Sequence, residues 1–348
     1  MRRVEPGMKA IAYDETGASS VLTARDLPVL DPEVGEVRVH IAVSGVNPTD
    51  WKARAAAPTS LPEPRVPNQD GAGVIDAVGA GVIGFAVGDR VWVWDAAFER
   101  TQGTAQEFAI VPASRVVPLP EGASFDLGAS LGIPALTAHH ALTANEHGPS
   151  QLRPGALDGH VVLITGGAGA VGHAAIQLAR WAGATVITTV SGDDKAELGR
   201  RAGAHHVVNY RTDDVVAAVH GISARGVDTI VDVNVLANLA TDLDVIAFGG
   251  TVAIYASDFD SDEPLPVPLG ESMRKNVRFQ FLLTYTVTDD QKRAAVNAVS
   301  AAVADGALPV GEEHGLPITR FALDDTAAAH DAVENGTVGK VLIDVAAL

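Results

Sequence analysis

The chain has 348 residues, 47% of them apolar and 20% charged, with a formal net charge of −18 and no cysteine. That length exceeds one typical hydrophobic core and predicts two domains. The acidic balance argues against nucleic acid as a partner, and the lack of cysteine rules out disulfides, thiol nucleophiles and thiolate metal sites.

A cytoplasmic location is the expectation. No apolar run approaches the ~20 residues of a membrane span. Met1–Gly7 has no apolar h-region behind it and so does not read as a secretory signal. It reads as an extension or an upstream start, since Met8-Lys9-Ala10 opens the first strand-like pattern.

In chain order, the first third reads as β-rich. Glu36–Val43 alternates with period two, and Gly73–Val78 and Asp89–Trp94 are short strands. Closely spaced Gly and Pro suit a twisted, partly closed β domain. The texture changes after Pro134. Ala135–Ala144 predicts a helix, Val161–Thr165 a strand, and Val171–Ala182 a helix stopped by Gly183. Thr185–Val190 is a strand, and Lys195–Ala202 a helix stopped by Gly203. Val207–Val208, Asp228–Val233 and Thr251–Tyr255 are further strands. This βαβ rhythm predicts an α/β fold on a parallel, doubly wound sheet. Asp289–Asp305 and Leu323–Asn335 read as helices, and Lys340–Val345 as a closing strand.

The segment from His160 to Gly172 carries the chemistry. Gly167, Gly169 and Gly172 match G-x-G-x-x-G, and Gly166, Gly169 and Gly172 match G-x-x-G-x-x-G. Placed between a buried strand and a helix, these spacings point to a dinucleotide whose pyrophosphate lies on the helix start. Gly166, Gly167, Ala168, Gly169, Ala170, Val171 and Gly172 are the candidate cofactor residues. The alternative is a tight strand-to-helix turn without a ligand. The next strand ends in Ser191, with Lys195 four residues on and Asp193 and Asp194 between. Ser191 can bond a 2′-phosphate and Lys195 can neutralise it, which favours NADPH over NAD. Against this, Ser191 can simply cap a helix, Lys195 can be a surface charge, and an inward aspartate would favour NAD.

These residues resemble the zinc-free quinone oxidoreductases, the zeta-crystallin group of the medium-chain dehydrogenase/reductase superfamily. The resemblance runs from about Met8 to Val345. It is carried by Gly45–Lys52, Pro67–Val74, Val87–Val91, Gly132–Leu142, Val162–Gly172, Gly203–Tyr210, Asn234–Leu239 and Gly249–Val252. It implies a GroES-like β-rich substrate domain at 1–135, completed by 306–348, around a Rossmann-type NADP-binding domain at 136–305. It also implies a homodimer and reduction of a quinone or other conjugated carbonyl by NADPH. By the same resemblance Tyr210 lies against the adenosine phosphate end, Asn234 is a cofactor contact, and Tyr255 and Ala256 hold the nicotinamide carboxamide. A C-terminal arginine that serves the 2′-phosphate in some members is absent here, leaving Lys340 or no residue for that contact. Zinc-using relatives carry Cys and His where this chain reads Pro67-Asn-Gln-Asp70, so no zinc is expected.

On the acceptor side the resemblance points to Asn47, Trp51 and Thr137. Asn47 can donate to a carbonyl or the cofactor ribose, or act only as a turn residue before Pro48. Trp51 stands near a tyrosine of zeta-crystallin; it can stack on a quinone but cannot supply a phenolic proton. Asp70 occupies the family's G-x-D position, with Asn68 in place of the glycine, and suits ordering loops better than donating protons. His139 and His140 are tempting acids, but neighbouring helix positions diverge by about 100°, so at most one faces the cleft, and a surface or interdomain histidine is the better reading. The expected function is hydride transfer from NADPH to a quinone. Reduction of an enone or enoyl-thioester C=C bond is the alternative, and it requires an acid that the sequence does not display. A cofactor-binding structural role of the crystallin kind is the alternative from another class.

Overall fold

The computed structural model describes residues 5–57, 59–256 and 263–348. Residues 1–4 of the N-terminal segment read as an extension lie outside them. The chain divides into two units, one running through Ile133 and resuming at Pro317–Leu348, the other Pro134–Leu316.

The first unit opens with β1 (Glu5–Glu15), β2 (Thr23–Val29) and β3 (Glu36–Val46). Helix α1 (Pro48–Arg54) follows, then β4 (Ser60–Arg65), β5 (Asp70–Val78), β6 (Arg90–Val93), β7 (Phe108–Pro112) and β8 (Val116–Pro118). The period-two pattern of β3 has a physical basis. Val37, Val39 and Ile41 are fully buried and pack with Ile75, Val91, Val93 and Ala109. Helix α2 (Phe125–Leu142) begins at Phe125 rather than at Ala135. Its glycines serve close packing, not termination. A Cβ on Gly128 would lie 2.6 Å from Ala72, and one on Gly132 would lie 2.1 Å from the Asp70 carboxylate. The division between the units falls inside this helix.

The second unit alternates strand and helix. It runs β9 (Val161–Thr165), α3 (Ala170–Trp181), β10 (Thr185–Val190), α4 (Asp193–Arg201) and β11 (His206–Asn209). Then come α5 (Val215–Ile222), β12 (Val227–Asp232), α6 (Val235–Val245) and β13 (Ile246–Ile254). Last are α7 (Leu269–Lys275), β14 (Arg278–Phe281) and α8 (Asp289–Ala304). Among the described residues these six strands form one parallel sheet in the order β11-β10-β9-β12-β13-β14. Buried Leu163, Ile187, Ile230 and Val252 fill its core. Strand order reverses between β9 and β12, and open α/β sheets bind ligands at the carboxyl ends of the strands there. Residues 306–316 stay with this unit rather than starting the next. The Gln177 amide donates to the Pro309 carbonyl at 3.0 Å, and the His173 ring meets the His314 carbonyl at 3.0 Å.

The chain end returns to the first unit as β15 (Ile318–Ala322), α9 (Thr326–Glu334) and β16 (Lys340–Asp344). β16 pairs parallel with β15 and antiparallel with β3. Among the described residues the sheet reads β15-β16-β3-β5-β6-β8, with β7 also on β3. No helix among them is long and apolar enough to cross a membrane.

Candidate functional site

In the second unit, the glycine turn joins β9 to α3. Gly166 takes the left-handed φ of +69°, and the backbone N–H groups of Gly166 and Gly167 both donate to the Thr189 carbonyl (3.1 and 3.3 Å). The glycines have separate causes. A Cβ on Gly167 would lie 2.1 Å from the Thr188 hydroxyl, so strand packing excludes it. One on Gly172 would lie 2.4 Å from the Gly166 carbonyl oxygen, so helix docking excludes it. Gly169 is different. It is exposed, and its Cβ would meet only the Gly166 oxygen at 3.5 Å, an ordinary contact. Gly169 is also the N-cap of α3 and has no side chain to cap it, so the first N–H groups of this twelve-residue helix lack a side-chain acceptor. That leaves an anion cradle.

The remaining second-unit candidates sit at the ends of neighbouring strands. Ser191 follows β10 and Lys195 lies in the first turn of α4, both half-buried. Asp193 and Asp194 are exposed. Tyr210 follows β11, about half exposed, and its backbone N–H donates to the Val190 carbonyl at 3.1 Å. Asn234 is exposed at the end of β12, and its side chain caps α6 through the Ala237 N–H at 3.4 Å. Tyr255 follows β13 and is half-buried; its hydroxyl is pushed to higher pKa by burial and then by Asp232, so it stays protonated. The structure therefore gathers the glycine turn, Ser191, Lys195, Tyr210, Asn234 and Tyr255 at the carboxyl ends of β9 to β13.

Thr137 lies apart from that set, 6% exposed, its hydroxyl 2.7 Å from that of Thr284. His139 and His140 are both buried. His139 Nε2 accepts the Leu152 N–H at 3.2 Å, which makes it a structural acceptor. Burial holds His139 down at about 3 and His140 at about 4. Neither is an acid at neutral pH. Imidazole NMR titration should show both neutral throughout pH 5–8; a midpoint inside that range would restore them as proton donors.

In the first unit Asn47 and Trp51 sit at α1. Asn47 caps the helix in a reciprocal box, its backbone N–H donating to Asp50 Oδ2 at 2.7 Å. Its amide is committed at both ends. Nδ2 donates to Asp70 at 2.7 Å, and Oδ1 accepts from the Lys340 ammonium at 2.7 Å. Asp70, fully buried, also accepts the Ile133 N–H (2.9 and 3.1 Å) and faces Lys340 at 3.6 Å. Lys340 is 1% exposed, so it is an internal counter-ion, which corrects the reading of it as a 2′-phosphate ligand. Two carboxylates share this one ammonium. Burial, then the Asp70 charge, pushes Asp50 up to about 7. Trp51 is half-buried with the Lys52 ammonium 5.8 Å above its ring.

Asn68 takes a left-handed φ of +77°, which asparagine tolerates. Its side chain donates to Ser44 (2.9 Å) and accepts from His330 Nε2 (2.9 Å). Ser44 in turn meets Thr104, which donates to the Asp70 carbonyl at 2.6 Å. Burial keeps His330 neutral, its pKa held down at about 3. This network locks the turn that presents Asp70. Sequence reasoning missed Asp50 and His330; the Asn47…Asp50 capping spacing was the available signal for the first.

Residues 33–121 match the alcohol dehydrogenase GroES-like domain family, and residues 170–301 match the zinc-binding dehydrogenase family. The chain is 29% identical to a quinone oxidoreductase of Lama guanicoe, over 97% of each chain. It is 28% identical to a 2-haloacrylate reductase of Burkholderia sp, over 97% of this chain and 98% of the other. It superposes on Escherichia coli quinone oxidoreductase complexed with NADPH with a TM-score of 0.77 and 26% identity, over 97% of this chain and 99% of that one. Among the described residues no three His, Cys, Asp or Glu side chains are placed to hold a metal, and the ammonium of Lys340 already sits against Asn47 and Asp70. Both domain matches and the full-length relatives agree with the fold: the chain carries an alcohol dehydrogenase GroES-like domain and a zinc-binding dehydrogenase domain, and along nearly its whole length it is similar to quinone oxidoreductases.

Proposed function

We propose that the chain is an NADPH-dependent oxidoreductase that delivers a hydride to a quinone. The observation that carries this is Gly169, a glycine that no protein atom requires, at the uncapped start of α3 and at the switch of strand order. A pyrophosphate there would take the free N–H groups of Ala170, Val171 and Gly172. The relative crystallised with NADPH supports the same cofactor. When bound, NADPH supplies the hydride; the chain supplies position and electrostatics. Ser191 and Lys195 hold the 2′-phosphate in this reading, helped by the outward placement of Asp193 and Asp194. Tyr210 flanks the adenosine end, and Asn234 and Tyr255 serve the nicotinamide end. On the acceptor side Trp51 offers a flat, half-buried ring. Asn47 positions α1, since its amide is already bonded at both ends. The Thr137 hydroxyl is shared with Thr284. No step passes through zinc.

NADPH oxidation with ortho- and para-quinones, enones and enoyl thioesters tests the assignment. Turnover with quinones is the expected result, and no turnover on any acceptor would overturn it. Reduction of a conjugated C=C bond is the second reading, favoured by the 2-haloacrylate reductase relative. Lys195→Ala should raise the NADPH Kd about tenfold, the value of one charge-assisted bond, and leave the NADH Kd within twofold. Equal losses for both cofactors would remove Lys195 from the phosphate site.

A homodimer goes with this reading. β14 is an edge strand ending in Phe281, 63% exposed, and α7 exposes Leu269 and Met273. Light scattering after size exclusion decides it. A cytoplasmic location also goes with it, since NADPH is supplied there.

A further inference from the structure

Below the β12–α6 turn lie two carboxyl groups that the reaction does not use. Asp232 ends β12 and is 0% exposed; Asp242, within α6, is 1% exposed. Asp232 anchors its surroundings on three sides. Oδ1 accepts the Asn234 backbone N–H at 2.5 Å, Oδ2 accepts the Asn238 amide at 2.8 Å, and its main-chain carbonyl accepts the Tyr255 N–H at 3.2 Å. The residue between, Val233, donates its N–H to Thr165 (2.9 Å), and its side chain lies 3.1 Å from where a Gly166 Cβ would stand. One aspartate thus fixes the turn walling the glycine loop together with the start of the 255–256 segment. Asp242 has no such donors. Neither of its oxygens receives a hydrogen bond, and among the described residues neither aspartate makes an ion pair. A buried carboxylate without donors or a cation is untenable as an anion.

We propose that Asp242 carries a proton and Asp232 the negative charge of a buried acid pair, and that this pair positions the Val233–Asn234 turn and Tyr255 for the cofactor. The proposal rests on the dinucleotide reading for its last clause. Burial, then the neighbouring Asp232 charge, pushes Asp242 up to about 9. Other titratable groups on the adjoining elements are turned away. Lys275 of α7 donates to the carbonyls of Leu243, Asp244 and Ile246, and His220 of α5 is exposed. Tyr255 stays a neutral phenol. Losing the Asp242 proton would put two anions side by side under the turn and loosen it. Both aspartates are positioning residues; neither needs to touch substrate.

The test compares wild type with Asp242→Asn, which is isosteric and cannot ionise. The first arm needs no cofactor. A folded-state acid near 9 and an unfolded one near 4 means that unfolding releases a proton between those values, so stability falls as pH rises through that window. The wild-type thermal midpoint should fall more steeply from pH 5 to 9 than that of Asp242→Asn. In the second arm, NADPH Kd from fluorescence titration should rise at least fivefold between pH 7 and 9.5 in the wild type and less than twofold in Asp242→Asn. Parallel profiles in both arms would overturn the proposal. Asp232→Asn removes the neighbouring charge and should shift the steep region to lower pH; an unmoved region would also overturn it. A wild type that binds no NADPH at any pH defeats the cofactor reading instead, and the stability arm then decides the acid pair alone.

Discussion

Replacing Lys340 with methionine should destabilise the first unit by about 3–5 kcal/mol, the usual cost of stranding a buried partner charge. Methionine nearly fills the space, so the loss is electrostatic rather than a cavity. It leaves Asp70 and Asp50 without their shared cation and Asn47 Oδ1 without its donor. Urea unfolding followed by tryptophan fluorescence reads this well. Of the four tryptophans, Trp51, Trp92 and Trp94 belong to the first unit and only Trp181 to the second. Adding Asp70→Asn to Lys340→Met should recover part of the loss, because it removes one stranded charge. A single variant within about 1 kcal/mol of wild type would mean that the pair carries no net charge across it.

The second large effect belongs to Gly172→Ala. The added methyl would stand 2.4 Å from the Gly166 carbonyl oxygen and 2.9 Å from the Gly167 Cα, both backbone of the turn itself. Neither can swing aside, so the start of α3 must move off the turn. NADPH Kd should rise at least about 100-fold, which is about 2.7 kcal/mol, with a lower thermal midpoint. Gly169→Ala is the matched control, since its methyl meets nothing closer than 3.5 Å. It should melt like wild type and still bind NADPH at least tenfold more weakly. Wild-type NADPH affinity in Gly169→Ala would mean that no phosphate approaches this turn.

Local pattern made the nucleotide-binding unit readable. Val161–Thr165 and Thr185–Val190 are short apolar strands bounded by glycine, and the structure gives both with those limits. Gly183 and Gly203 follow their helices at positive φ, the conformation that ends a helix. The start of α2 was misread because Gly128, Gly132 and Pro134 look like breakers when their packing partners are unknown. Helix α5 escaped notice because its Val-rich segment has weak helix propensity and takes its shape from packing on the sheet. The buried charges were harder still. Lys340 meets Asn47 across 293 positions, a pairing no local spacing can report. Asp242 lies near Leu239, Leu243 and Val245 but also beside Thr241 and Asp244, so it reads as part of a polar helix face and nothing local reports its burial.

The insertion of β16 between β15 and β3 has a consequence for biosynthesis. Residues 134–316 are contiguous, so that unit can close as soon as its last strand and helix have emerged. The first unit cannot. Until residue 340 has been made, the long edge of β3 that takes Val341–Asp344 stands open, and the Asp50–Asp70 pair has no ammonium beside it. The strands made before residue 134 must therefore wait, incomplete, while the middle of the chain is translated, and they are among the last parts of this fold to be stabilised. A chaperone that shields exposed strand edges would find its substrate in that interval.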